Sequence, residues 1–116
     1  MNAMSVESVP TATARSLEGA LRSAGASEAI LAKRQVKNSI SIAKTAFDGL
    51  LKSAPHAMRT AFAVETILYG GKAVGLSGGS PRRRWELKEE LSRAGIPMED
   101  VLTVEGKIKK ALDAGR

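Results

Sequence analysis

The segment of this sequence best suited to binding chemistry is a run of three arginines followed by a tryptophan: Arg82, Arg83, Arg84 and Trp85. Ser80 and Pro81 precede it, in the order typical of a helix N-cap and first turn. Adjacent arginines point in different directions from a helix, which suits a curved phosphate backbone or several carboxylates. Without an anionic partner their charge opposes the helix dipole. The run therefore predicts an anion-binding site, with salt bridges to Glu86, Glu89 or Glu90 as the plain alternative.

Five further basic residues share one predicted helix: Lys33, Arg34, Lys37, Lys44 and Lys52. Ser27 is a plausible N-cap for this helix, and Pro55 ends it. The apolar residues between them recur at steps of three and four, which predicts one continuous amphipathic helix with Gly49 as its weak point. The opposite face is basic, so the sequence predicts a second surface for nucleic acid or an acidic partner.

Residues for catalysis or metal binding are scarce. The chain has no cysteine and one histidine, His56, which excludes a cysteine nucleophile, a Cys-based zinc site and a multi-histidine site within one chain. Gly71-Lys72 is followed by Ala73, so the order required of a phosphate-binding loop is not met. We therefore expect no catalytic, cofactor-binding or metal-binding residues, no cofactor, and no enzymatic activity.

The segment 57–69 is apolar nearly all round, which is typical of a helix buried in a core or between subunits. With the preceding basic helix it predicts an antiparallel helical hairpin, because the connection is short. We expect its larger residues, together with the tryptophan, to form an interface: Phe62, Leu68, Tyr69 and Trp85. Aromatic residues make up only 3% of the chain, so self-association would add apolar burial that a small core lacks.

The pattern predicts an all-α fold, a small helical bundle built on this central hairpin. A flexible tail (1–13) precedes a helical domain (14–69), and a glycine-rich linker (70–80) leads to a C-terminal helical pair (81–116). Residues 98–105 contain a β-branched cluster that leaves a short strand as the alternative to helix. Whether the C-terminal pair docks on the hairpin is left open by the sequence.

Charge is divided between two parts of the chain. Residues 29–64 contain six basic side chains and one acid, whereas residues 85–105 contain six acids and two basic side chains. The basic part can thus dock on the acidic part of the same or another molecule, which weakens a purely nucleic-acid interpretation of the net charge of +6.

Two functions are consistent with these observations. The first is a non-enzymatic assembly protein, either a homo-oligomer or a component of a larger particle. The second is a small DNA- or RNA-binding protein that uses the basic helix and the arginine run. We see no transmembrane segment and no secretory signal, so we expect the cytoplasm or a particle assembled there.

Overall fold

The computed structural model describes residues 16–115, and these residues form six α-helices and one 3-10 helix without a strand. The helices are α1 (Leu17–Ser23), α2 (Glu28–Leu31), α3 (Arg34–Gly49), α4 (His56–Gly70), α5 (Pro81–Arg93) and α6 (Met98–Ala114). The all-α prediction is confirmed, and α6 replaces the strand considered for residues 98–105. The predicted tail, residues 1–13, lies outside the described residues.

The prediction of one continuous helix from Ser27 to Ala54 is wrong. Ser27 does cap a helix, because its hydroxyl accepts a hydrogen bond from the Ile30 backbone N–H, but this helix ends at Leu31. The chain then adopts an extended conformation at Lys33 before α3 begins. The break buries Leu31 and leaves the neighbouring Ala32 exposed. Burying a leucine removes far more apolar area from water than burying an alanine does. The chain therefore buries the leucine, although the regular spacing placed the alanine on the apolar face.

Whereas α4 contacts α1, α3, α5, α6 and the 3-10 helix, α3 packs mainly on α6. Its buried stripe contains Val36, Ile40, Ala43 and Phe47, as the spacing predicts. The most extensive partner of α3 is α6, and its first turn meets the end of α6, where the Gln35 side-chain amide donates to the Gly115 carbonyl. The two helices therefore run side by side in opposite directions.

The predicted hairpin places α4 against the far end of α3. Phe47 and Phe62 meet edge to face with ring centroids 6.0 Å apart. The Arg59 guanidinium donates to the Phe47 carbonyl at 3.2 Å and lies 3.5 Å from the Asp48 carboxylate. Arg59 thus adds a side-chain donor to a carbonyl that already accepts the Leu51 backbone N–H, and it links α4 to the last turn of α3.

The segment 70–80 packs against α4. It begins with the 3-10 helix Gly71–Val74 and buries both Val74 and Leu76. The Ser80 backbone N–H donates to a Glu65 carboxylate oxygen at 2.6 Å, and the Ser80 hydroxyl caps α5 by accepting from the Arg83 N–H. The division into a hairpin domain and a C-terminal subdomain stays a prediction, but both parts contribute side chains to one continuous hydrophobic core.

Candidate interaction surfaces

The arginine run separates into three different environments. Arg82 is 89% exposed and lies 3.5 Å from Glu86. Arg83 is half exposed and lies 3.6 Å from both Glu86 and Glu90. Arg84, by contrast, is only 12% exposed and is directed inward. The salt bridges considered as the alternative to an anionic partner are therefore present for the first two arginines.

Arg84 belongs to a charged cluster between α4, α5 and α6. Its Nε lies 2.6 Å from one oxygen of the Glu105 carboxylate, and Lys88 Nζ lies 2.9 Å from the other. The Arg84 guanidinium also covers the Tyr69 ring at 3.7 Å from the centroid, and Lys109 lies 5.8 Å from the same ring. Glu105 is 8% exposed, so two cations share one buried carboxylate. This arrangement locks three helices together and leaves Arg84 unavailable to a partner.

Glu105 was not among the predicted site residues, although the sequence contains a signal for it. Glu105 stands between Val101 and Ile108 at helical spacings of four and three, so it interrupts an apolar stripe. An acid on the buried face of a helix requires a cation from a neighbouring element, because an unpaired buried charge is strongly unfavourable.

The basic residues of the second predicted surface are mostly exposed. Lys33 differs from the other four because its side chain is bonded within the chain. Its Nζ donates a hydrogen bond to the Val74 carbonyl at 2.7 Å and so connects α3 to the 3-10 helix. The other four have exposed side chains and no ion pair within residues 16–115: Arg34, Lys37, Lys44 and Lys52. They remain candidates for contacting an anionic partner.

Of the four predicted interface residues, Trp85 alone is well exposed. Phe62 is fully buried and Leu68 nearly so, because both fill the core of this chain. Tyr69 is partly buried beneath Arg84. The apolar character of α4 is therefore largely used within the monomer, where Phe62 and Leu68 are enclosed and unavailable to another subunit, whereas an interface role for Tyr69 stays a prediction. Trp85 is 57% exposed on α5.

An apolar groove of about 690 Å³ lies between α3 and α6. Its apolar walls come from Ile42 and Leu50 on the α3 side and from Ala111 and Ala114 on α6. Leu50 is one of the few large apolar side chains that remain exposed among the described residues. The lysines that line the groove are Lys107 and Lys110, and the described residues provide no acid to it. The groove is thus apolar inside and positively charged at the α6 edge.

Further exposed apolar side chains lie on α5 and α6. Trp85, Met98 and Leu102 are the other large apolar side chains exposed within residues 16–115. Charged residues of both signs accompany them, because Glu89 follows Trp85 and Glu99 precedes Leu102 by one helical turn, while the exposed Arg82 precedes Trp85 by one turn. The charged residues of the groove are therefore lysines alone, whereas these side chains are accompanied by carboxylates and by Arg82.

Two further polar contacts involve His56 and the exposed Arg22–Glu28 pair. The Nδ1 of His56 lies 2.9 Å from Arg59 Nη2 at the start of α4. Hydrogen bonds donated by Arg22 lower the pKa of Glu28, and the same contact raises the pKa of Arg22. Both side chains of that pair are largely in solvent, where such ion pairs contribute little to stability.

Among residues 16–115, no group of three or more His, Cys, Asp or Glu side chains is placed to hold a metal ion. No helix in that part of the chain combines the length and apolar character needed to span a bilayer. No protein-family model matches this sequence, and no curated protein or solved structure matches it either. The function must therefore be argued from the geometry of these surfaces.

Proposed function

We propose that this chain is a non-enzymatic helical protein that assembles by association with further copies of itself. The observation that carries the proposal is the exposed apolar groove between α3 and α6. An isolated monomer would leave this groove, including Leu50, in contact with water. Contiguous exposed apolar surface with a polar edge is typical of protein-interaction sites.

The ion pairs formed within one molecule support the same proposal. Glu105 is the shared counterion of Arg84 and Lys88 within the monomer, so the most buried ionic contacts serve to fix α5 and α6 in place. A rigid pair of helices then presents Trp85 and the α6 edge of the groove in defined positions. Preorganised surfaces lose less conformational entropy on association.

The proposal is tested by light scattering coupled to size exclusion over a range of protein concentrations. A monomer has a mass of 12.2 kDa, and we expect the measured mass to rise above this value as concentration increases. A mass that stays at the monomer value up to millimolar concentration would contradict self-association.

A second candidate function, nucleic-acid binding, is favoured by the exposed basic residues that have no ion pair within the described region. Arg34, Lys37, Lys44 and Lys52 belong to this group, and Arg82 adds an exposed guanidinium. Binding to phosphates would weaken steeply as salt rises, because each contact releases counterions. Absorbance at 260 and 280 nm on the same chromatographic peak distinguishes the two functions, since co-purified nucleic acid raises the 260 nm signal.

A further inference from the structure

We propose that the α3–α6 groove of one molecule receives the Trp85 surface of a second copy, so that molecules associate head to tail. The Trp85 surface comprises Trp85, Met98 and Leu102. This inference rests on the proposed function of self-association and assigns the two surfaces that would carry it.

The groove is poorly suited to pairing with an identical groove. Two-fold symmetric pairing requires a self-complementary surface. A concave groove facing its own copy would enclose a void, and it would bring Lys107 and Lys110 of each molecule towards their counterparts. Like charges that approach each other in a partly desolvated interface are unfavourable. We therefore expect a different, protruding surface to occupy the groove.

The Trp85 surface has the required shape and size. Trp85 projects from α5 with more than half of its side chain in water, and it is the sole tryptophan of the chain. A groove of about 690 Å³ has room for an indole ring and neighbouring side chains. Tryptophan is enriched among the residues that dominate binding energy at protein interfaces, because its large ring is buried at little entropic cost.

The charged residues of the groove are lysines, and the Trp85 surface offers carboxylates to them, together with Arg82, which lies one turn before Trp85 and is paired with Glu86 at 3.5 Å. Glu89 stands one turn after Trp85, and Glu99 stands next to Met98, whereas Lys107 and Lys110 line the groove. Glu89 has a partner within its own helix, Arg93 at 3.9 Å, but this pair is open to solvent, with Arg93 70% and Glu89 44% exposed. Exposed pairs of this kind contribute little and exchange partners readily. The carboxylates are therefore free to face the lysines of another copy.

The position of the surfaces on α6 determines the type of assembly. Leu102 and Lys107 are five residues apart on the same helix, so their side chains point about 140° apart around its axis. One molecule can then use both surfaces at once. A contact between two different surfaces repeats from copy to copy and produces either a ring or an open chain.

The experiment uses two variants of the full chain, each lacking one surface. Trp85→Ala removes the protruding ring but keeps the groove. Leu50→Glu/Lys110→Glu keeps Trp85 but makes the groove acidic. Lys72→Glu/Ser53→Glu is the matched control, because it changes the charge equally at exposed positions that do not line the groove. Should the Leu50 variant fail to fold by circular dichroism, Thr45→Glu/Lys110→Glu replaces it, since Thr45 is exposed and lines the groove.

We expect each surface variant alone to self-associate at least about tenfold more weakly than the wild type, and the control to behave like the wild type. An equimolar mixture of the two surface variants should form a 1:1 heterodimer and nothing larger, because one intact groove meets one intact Trp85 surface. Light scattering measures the mass of each variant alone and the mass of the complex in the mixture.

Two outcomes would overturn the inference. A wild type that associates while the mixture of variants stays monomeric would mean that another interface is used, and self-association itself would still stand. A wild type that is monomeric throughout would remove both the inference and the proposed function.

Discussion

The guanidinium of Arg84 lies between the Tyr69 ring, 3.7 Å from its centroid, and the Glu105 carboxylate, 2.6 Å from Arg84 Nε. This relationship separates Arg84 from its two neighbours in the arginine run. A cation held both by a ring face and by a buried carboxylate is a structural element of the fold. Only Arg82 and Arg83 keep a guanidinium accessible to a partner.

Glu105→Gln should destabilise the fold by about 3 kcal/mol, because it leaves Arg84 and Lys88 buried without a countercharge. Glutamine keeps the size of the side chain, so the effect isolates the charge. Urea unfolding followed by circular dichroism measures the loss. Glu89→Gln is the control, since its exposed pair with Arg93 should contribute less than about 0.5 kcal/mol. Equal effects of the two substitutions would contradict the assigned role of Glu105.

Arg84→Ala should lower the free energy of unfolding by about 2–3 kcal/mol, since it removes the ring contact and leaves the Glu105 carboxylate with Lys88 alone. Arg82→Ala, two residues earlier on the same helix, should change stability by less than about 0.5 kcal/mol, because Arg82 is almost entirely in solvent. Thermal unfolding of both variants under the same buffer conditions provides the comparison. A larger effect at Arg82 than at Arg84 would refute this assignment.

The sequence was sufficient for the helical class and for much of the α3 core. Val36, Ile40 and Phe47 follow helical spacing, and large side chains at that spacing have one way to be buried together. The start of α5 was equally predictable from the sequence, because Ser80 and Pro81 act locally as the cap and the first turn.

The sequence was insufficient where contacts between distant segments decide the outcome. Spacing alone could not tell that Leu31, not Ala32, would be buried, or that Phe62 would pack on Phe47 inside the monomer. The groove could not be predicted from the sequence either, because it depends on how α3 and α6 are placed side by side. Periodicity identifies a helix face, but it does not identify which helix covers that face.

Gly79→Ala should destabilise the protein by about 2 kcal/mol or more, because a Cβ at this position would clash with the Tyr69 backbone nitrogen. A residue in a freely moving linker would tolerate alanine, so this substitution also tests whether the segment 70–80 is packed. Ser77→Ala is the control within the same segment, since Ser77 is exposed. Chemical denaturation of the two variants measures the difference, and equal stability of both would favour a mobile linker.

Gly106→Ala should stabilise the protein by about 0.5–1 kcal/mol, because Gly106 lies inside α6 and a Cβ there would meet no atom within 4 Å. Thermal unfolding should show a higher midpoint temperature. Gly25→Ala is the matched comparison, because its Cβ also has open space but its φ is +107°. That substitution should destabilise the protein, since an L-residue is strained at such an angle. Stabilisation at both positions would contradict the conformational argument.

Trp85 should also report association directly, because it is the sole tryptophan and is 57% exposed in the monomer. As wild-type concentration rises, we expect its emission to shift to the blue and its quenching by acrylamide to weaken, since the groove would exclude water from the ring. Leu50→Glu/Lys110→Glu should keep the monomer spectrum over the same range. Adding Trp85→Ala, which contributes no tryptophan signal, should then produce the blue shift in that variant by supplying an intact groove. A spectrum unchanged by this addition, under conditions where the wild type does shift, would place Trp85 in a different contact.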